Sequence, residues 1–273
     1  PRSAEVGENT RFIYAVLNQS EPGRQQGFDR FEIDTPLRVE QVGPIRIQRP
    51  DGSVLEADFS GAPLVDLPLS LNGISIDEIH DDRFSISFPL IEEDGTVLAI
   101  EFDNGVLRFG TTFAGRAFNS ALETTVGQGV LAGNAADLQL AGFEDSDIQP
   151  LGTSLAENLS VAVPISKNLL ANVEAVPAVF TPNGDGINDL VLIQYDITNI
   201  ARLSPVEVFV YDLSGHLMRR LVDDEVISGR FARPWDGRDD SGAVVPPGHY
   251  LFSVSLQAGT GQVKEVGVVS VAY

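Results

Sequence analysis

The stretch FTPNGDGIND, residues 180–189, brings Asn183, Asp185 and Asp189 close together in sequence. Oxygen-bearing side chains at alternate positions beside a sharp glycine turn are what a hard cation such as calcium needs. With Gly186 at the sixth position of a calcium-loop frame, Asp185 falls at the fifth, Asn183 at the third and Asp189 at the ninth. The first position is then Thr181 and the twelfth Leu192, where a bidentate glutamate is wanted, so a full loop of the EF-hand kind is rejected. A partial site, completed by an acid from another loop, is the metal reading, with calcium as the one cofactor it would take. The other reading is a turn: Pro182 presets the bend, Gly184 and Gly186 take positive φ, and the Asn and Asp side chains cap backbone N–H groups. The turn reading is the better supported as chemistry.

Other constellations fail their spacing tests. His80, His216 and His249 lie in or beside expected turns, with no zinc spacing between them. Neighbouring acids occur at Asp81 and Asp82, Glu92 to Asp94, Glu144 to Asp147, Asp223 to Glu225, and Asp239 and Asp240. A glycosidase needs two carboxylates facing each other across a cleft, whereas these sit beside turn signals and read as solvated loops. There is no G-x-S-x-G elbow, and the glycine-rich TVGQGVLAGNA (125–135) lacks the lysine and helix of a phosphate loop. No catalytic residue is assigned, and the chain is expected not to be an enzyme.

The elements that carry these residues read as strands. Phe12, Tyr14 and Val16 share one face of a period-two pattern, as do Phe84, Ile86 and Phe88, and Leu98, Ile100 and Phe102. Turn-formers punctuate them: RPDGS (49–53), LNG (71–73), EEDGT (92–96) and FDNG (102–105), of which Asp-Gly and Asn-Gly are the strongest short hairpin signals. Further strands are expected at Ala136–Leu140 and Leu159–Val163, and GFEDSDIQPLGTSLAEN (142–158) reads as an acidic surface loop. A second alternating series starts near Leu169: Val206, Val208 and Val210; Tyr250, Phe252, Val254 and Leu256; then Val266 to Val271. The expected class is all-β, two antiparallel β-sandwich domains in series at 1–168 and 169–273, the second immunoglobulin-like in size.

Composition narrows the partners. With 39 acidic and 18 basic residues the formal charge is −21, and the excess lies mostly in residues 1–168. Such a field repels phosphate backbones and anionic lipid surfaces, so no nucleic acid is expected. Only Lys167 and Lys264 are lysines, and cysteine is absent, which removes disulfides, thiolate metal sites and cysteine nucleophiles. No run approaches the roughly 18 apolar residues of a membrane span, so no membrane insertion is expected. PRSAEVGENT at the start has no hydrophobic signal core, so an exported protein would be in mature or fragment form.

Three segments carry a family likeness: VFTPNGDGINDLVLIQYDI, VEVFVYDLSGHLMRRLVDD and WDGRDDSGAVVPPGHYLFSVSL. In this order they resemble the gliding-motility-associated, or type B, sorting domain at the carboxy terminus of proteins exported by type IX secretion. They also resemble the immunoglobulin-like domain of the flagellar hook-assembly scaffold. The likeness spans about 170–273 and implies a non-catalytic sorting or docking sandwich. The positions carried over are Pro182, Asn183, Gly184, Asp185, Gly186, Asn188 and Asp189; Tyr211, Asp212 and Gly215; and Trp235, Asp236, Gly237, Gly242, Gly248 and Tyr250. Their implied role is architectural, with Trp235 in the core. The first domain, through GFDRFEIDTPLRV (27–39) and the run from Phe88, loosely resembles a cohesin-like surface sandwich.

The resulting expectation is a secreted protein of the bacterial cell surface. It acts by interaction, as a subunit of a filament, sheath or surface layer or as an adhesive display module, and its partner is itself. Two alternatives differ in class: a glycan-binding or hydrolytic module exported by its carboxy-terminal domain, and a flagellar-type assembly scaffold. Edge strands near both ends, including 263–273, are expected to be free for strand addition.

Overall fold

Alternate apolar residues turn inward wherever the period-two pattern is clean. In the computed structural model, which describes residues 4, 6–19, 27–108, 111–122, 127–133, 138, 160–161, 168–259 and 261–273, Phe12, Tyr14, Val16, Phe84, Ile86, Phe88, Leu98, Ile100 and Phe102 are all buried. Contacts divide the chain into two compact units, residues 1–164 and 165–273.

The first unit contains β1 (Asn9–Leu17), β2 (Phe28–Asp34), β3 (Gln41–Gln48), β4 (Val54–Asp58), β5 (Leu69–Leu71), β6 (Ile74–Ile79), β7 (Arg83–Ile91), β8 (Val97–Gly105), β9 (Thr111–Thr112), β10 (Gly115–Phe118), β11 (Gln128–Gly129) and β12 (Ser160–Val161). They form sheets in the orders β1-β8-β3-β4 and β11-β10-β2-β7-β6-β5, with β12 and β9 as a separate pair. One apolar core joins the two larger sheets, and its aromatic centre is Phe12, Phe102 and Phe113. β8 is covered on its other face too, where Val97 and Ala99 pack with Ile13, Ala15, Leu17 and Leu138.

Two turn signals act as hairpins and two do not. RPDGS joins β3 to β4 around Gly52 at φ 85°, and LNG joins β5 to β6 with Asn72 and Gly73 at φ 51° and 80°. EEDGT instead carries the chain from one sheet to the other, because β7 and β8 belong to different sheets. FDNG is no turn at all. β8 runs through it, pairing Asn104 with Thr10 and Gly105 with Asn9. Buried Asn104 donates from Nδ2 to the Leu37 carbonyl at 2.8 Å, and a Cβ at Gly105 would meet Leu37 at 2.7 Å. The glycine is there for close approach rather than for bending.

Of the late strands expected in the first domain, Leu159–Val163 is represented by β12, which pairs with β9. Only Leu138 of Ala136–Leu140 is described, outside any strand, and the acidic segment 142–158 lies outside the described residues.

The second unit contains β13 (Leu170–Val176), β14 (Val179–Phe180), β15 (Val191–Ile197), β16 (Ser204–Tyr211), β17 (Leu217–Val226), β18 (Gly229–Trp235), β19 (Gly248–Ala258) and β20 (Gly261–Val271). Its sheets have the orders β13-β15-β18 and β14-β20-β19-β16-β17. All pairings are antiparallel except β14 with β20. Val206, Val208 and Val210 face the core with Tyr250, Phe252, Val254 and Leu256. β20 alternates: Val269 and Val271 are buried while Val266 and Val268 are exposed. The inward Gly267 makes room for the Phe252 ring, which any Cβ at this position would overlap.

Candidate functional site

The FTPNGDGIND residues fold into a turn held by its own side chains. Pro182 follows β14, and β15 begins at Val191, so the stretch connects two strands of different sheets. Asp189 accepts the Gly184 N–H on Oδ1 and the Gly186 N–H on Oδ2, both at 2.6 Å. Asn183 Oδ1 accepts the Asp185 N–H at 3.0 Å, and Asp185 Oδ1 accepts the Ile187 N–H at 2.8 Å. The Asn183 amide donates to Asp185 Oδ2 at 3.1 Å. Gly184 and Gly186 stand at φ 81° and 86°, as the turn reading requires. Asn183, Asp185 and Asp189 are thus adjacent, with every carboxylate oxygen and the amide oxygen already accepting a hydrogen bond inside the loop. Among the described residues no three His, Asp or Glu side chains are grouped so as to hold a metal ion.

The third segment packs directly against this turn. A Cβ on Gly237, at φ 69°, would lie 2.6 Å from Pro182 Cγ. Trp235 is 1% exposed, with Phe180 and Tyr250 rings at 5.4 and 5.5 Å, and its indole N–H donates to the Arg238 carbonyl at 2.9 Å. Asp236 accepts the Arg238 N–H, and Tyr250 donates to the Pro246 carbonyl at 2.6 Å. Burial pushes the Tyr250 hydroxyl pKa upward, as an engaged phenol in an apolar setting would show. Gly248 opens β19 opposite Val271. Pro182, Gly237, Trp235 and Tyr250, far apart in sequence, therefore form one packed cluster.

Two turn acids of the second unit, Asp212 and Asp239, behave as caps. Asp212 accepts N–H groups of His216 and Ser214 at the Leu213 to Gly215 turn. Asp239 accepts from Ser241 and Ala243. Hydrogen bonds from His216 and from Ser241, respectively, hold these two carboxyls below the usual range. Asp240 takes the Arg220 N–H instead, so it and Asp239 face different groups. His80 and His216 are exposed beside turns, and His249 stands within β19, bonded to Ser270.

Sequence reasoning missed a buried ion pair in the second unit. Asp196, 1% exposed on β15, receives Arg230 Nε at 2.9 Å and Nη2 at 3.1 Å, and the Asn172 amide at 2.8 Å. The pair ties β13, β15 and β18 together. Its only sequence signal is a carboxylate inside the apolar run LIQYDI.

Residues 174–271 match the CHU_C type IX secretion signal domain. That match bears out the sorting-domain resemblance and indicates secretion, to the cell surface or the extracellular space. The flagellar and cohesin-like resemblances have no comparable support. No curated protein matches the chain. Among solved structures, dimeric latent PorU from Porphyromonas gingivalis is 15% identical, over 99% of this chain and 19% of its own, at TM-score 0.33. The group B streptococcus pilus 2b backbone protein is 10% identical over 99% and 81%, at 0.32. A tetra-tandem repeat from the extending region of a large adhesion protein is 12% identical over 97% and 75%, at 0.27. At these scores none bears on the fold or function of this chain. Among the described residues no helix is long and apolar enough to cross a membrane.

Proposed function

We propose that this chain is a non-catalytic, exported surface protein that works by binding further copies of itself, its carboxy-terminal unit serving as the export signal. The observation that carries this reading is the fate of the candidate chemistry. Asp185, Asp189, Asp212 and Asp239 cap turns, Asp196 ties strands, and Trp235 fills a core. Side chains occupied in this way support architecture rather than turnover. The match at 174–271 supports an extracellular setting, and without cysteine the two units have no disulfide to stabilise them there.

Like-charged copies repel at low ionic strength, so a net charge of −21 makes the association salt-dependent. Sedimentation velocity of the full chain tests the reading: the mass should rise with concentration and with added salt or divalent cation. A monomer under every condition removes self-association. Hydrolysis of polysaccharides, lost on changing one acidic pair, would replace it with the enzymatic alternative.

A further inference from the structure

Alternate residues of β16, β19 and β20 build the core of the second unit, so the residues between them stand on the outer face of its larger sheet. Strand register lines these up in rows. Leu217 of β17 pairs with Tyr211 of β16, Tyr211 with Leu251 of β19, and Leu251 with Val268 of β20, which makes one row wholly apolar. The next row is Arg220, Phe209, Ser253 and Val266, and the third is Asp223, Glu207, Ser255 and Lys264. Val266 and Val268 are 56% and 54% exposed, Leu217 is exposed, and Phe209, Tyr211 and Leu251 are half-buried. The edge of β20 is not free for the expected strand addition, because β14 pairs with its end and β13 runs alongside it. Its outer face is what stands open.

Charge on this face is balanced, two bases against two acids, in a chain whose net charge is −21. The Arg220 guanidinium lies 5.0 Å over the Phe209 ring and 3.2 Å from Asp223. The Lys264 ammonium lies 5.7 Å over the Tyr211 ring, with no carboxylate partner among the described residues. Asp223 and Lys264 are three strand spacings apart, about 14 Å, too far to pair within one copy. Like-charged copies approach each other with least repulsion where acid and base balance.

We propose that this face packs on the same face of a second copy, about a twofold axis that runs parallel to the strands between β16 and β19. The inference rests on the self-association reading above and names its surface. Such an axis reverses the order of the strands but keeps the rows level. β17 then lies over β20 of the second copy and β16 over its β19, in the aligned, face-to-face manner of packed sheets. Leu217 meets Val268 and Tyr211 meets Leu251, so the apolar rows cover each other. Asp223 meets Lys264, twice by symmetry, which gives the lysine the carboxylate that its own chain does not supply. An axis across the strands would instead set the apolar row on the charged one.

Sedimentation velocity of the full-length chain tests both the surface and its symmetry. Asp223→Lys and Lys264→Glu should each weaken association at least tenfold. An equimolar mixture of the two variants should associate as strongly as the unmodified chain, because every 223 to 264 contact between them again joins acid to base. Val268→Lys should also weaken association tenfold, while Leu192→Lys, at an exposed position on the outer face of the other sheet, should leave it unchanged. Undiminished association in Val268→Lys, an equal loss in Leu192→Lys, or a mixture that does not recover overturns this face-to-face pairing and leaves self-association standing. An unmodified chain that is monomeric under every condition overturns both. Should a charge variant fail to fold, Val268→Lys against Leu192→Lys decides alone.

Discussion

Pro182 rests on Gly237: the prolyl ring occupies the space where any Cβ at position 237 would stand, 2.6 Å from Cγ. The contact joins the turn before β15 to the turn after β18, beside the Trp235 core. Gly186 shares the positive φ, at 86°, but has nothing within 4 Å of a Cβ. The two glycines therefore separate backbone strain from steric exclusion. Gly186→Ala should destabilise the second unit by about 1–2 kcal/mol, from the left-handed backbone alone. Gly237→Ala should add an overpacking penalty of about 1–3 kcal/mol. Denaturant melts of the two variants check this, and equal midpoints would show that Pro182 yields freely. The bulkier Gly186→Val should cost roughly 1–3 kcal/mol.

The Asp196–Arg230 pair should be asymmetric to mutation. Asp196 is 1% exposed, whereas the Arg230 side chain is 36% exposed and can turn to water. Removing Arg230 leaves a buried carboxylate with one amide donor, and Arg230→Met should cost about 3–5 kcal/mol. Asp196→Ala should cost less. Urea midpoints that reverse this order would show that the desolvated carboxylate is not the dominant cost.

Acid should loosen the turns of the second unit before its core. Asp212 and Asp239 have folded pKa values below the ordinary 3.8. A carboxyl depressed by folding contributes stability above its unfolded pKa and loses it as pH falls through the folded value. The loss therefore falls below pH 3.8. Asp212→Asn and Asp239→Asn should flatten the melting temperature profile in that window and leave it unchanged in shape above pH 5. A profile as steep as the parent's would assign acid sensitivity to other carboxyls.

Calcium should leave the melting temperature of a chelator-treated sample unchanged at millimolar ion. The oxygens of Asn183, Asp185 and Asp189 already accept hydrogen bonds within their turn. A folded-state site would instead raise stability by about 2.7 kcal/mol at a hundredfold excess over its dissociation constant. Such a rise, lost in Asp189→Asn, would return these residues to the role of ligands.

Local chemistry was legible wherever the interaction is short in sequence. Asp-x-Ser occurs at Asp51, Asp58, Asp212 and Asp239, and in each the carboxylate accepts the N–H two residues on. The turn at 180–189 was legible for the same reason, since its donors and acceptors are at most seven residues apart. The ion pair at Asp196 was not, because Arg230 reaches it only across the pairing of β15 with β18.

Residue order by itself determined the alternating strands, the all-β class, the caps and the sorting-domain likeness, because each depends on side-chain period or on neighbours along the chain. Tertiary structure decided what Asn104 and Gly105 do. Their Asn-Gly signal calls for a turn, yet the Leu37 carbonyl accepts from the buried Asn104 amide nitrogen and the Leu37 side chain fills the space beside Gly105, so the strand continues. It likewise decided which valines of β20 face water, and it brought Pro182, Gly237, Trp235 and Tyr250 together. A local signal proposes a conformation, and burial against residues distant in sequence selects among proposals, because an unpaired buried amide or an overlapping side chain costs more than a turn preference supplies.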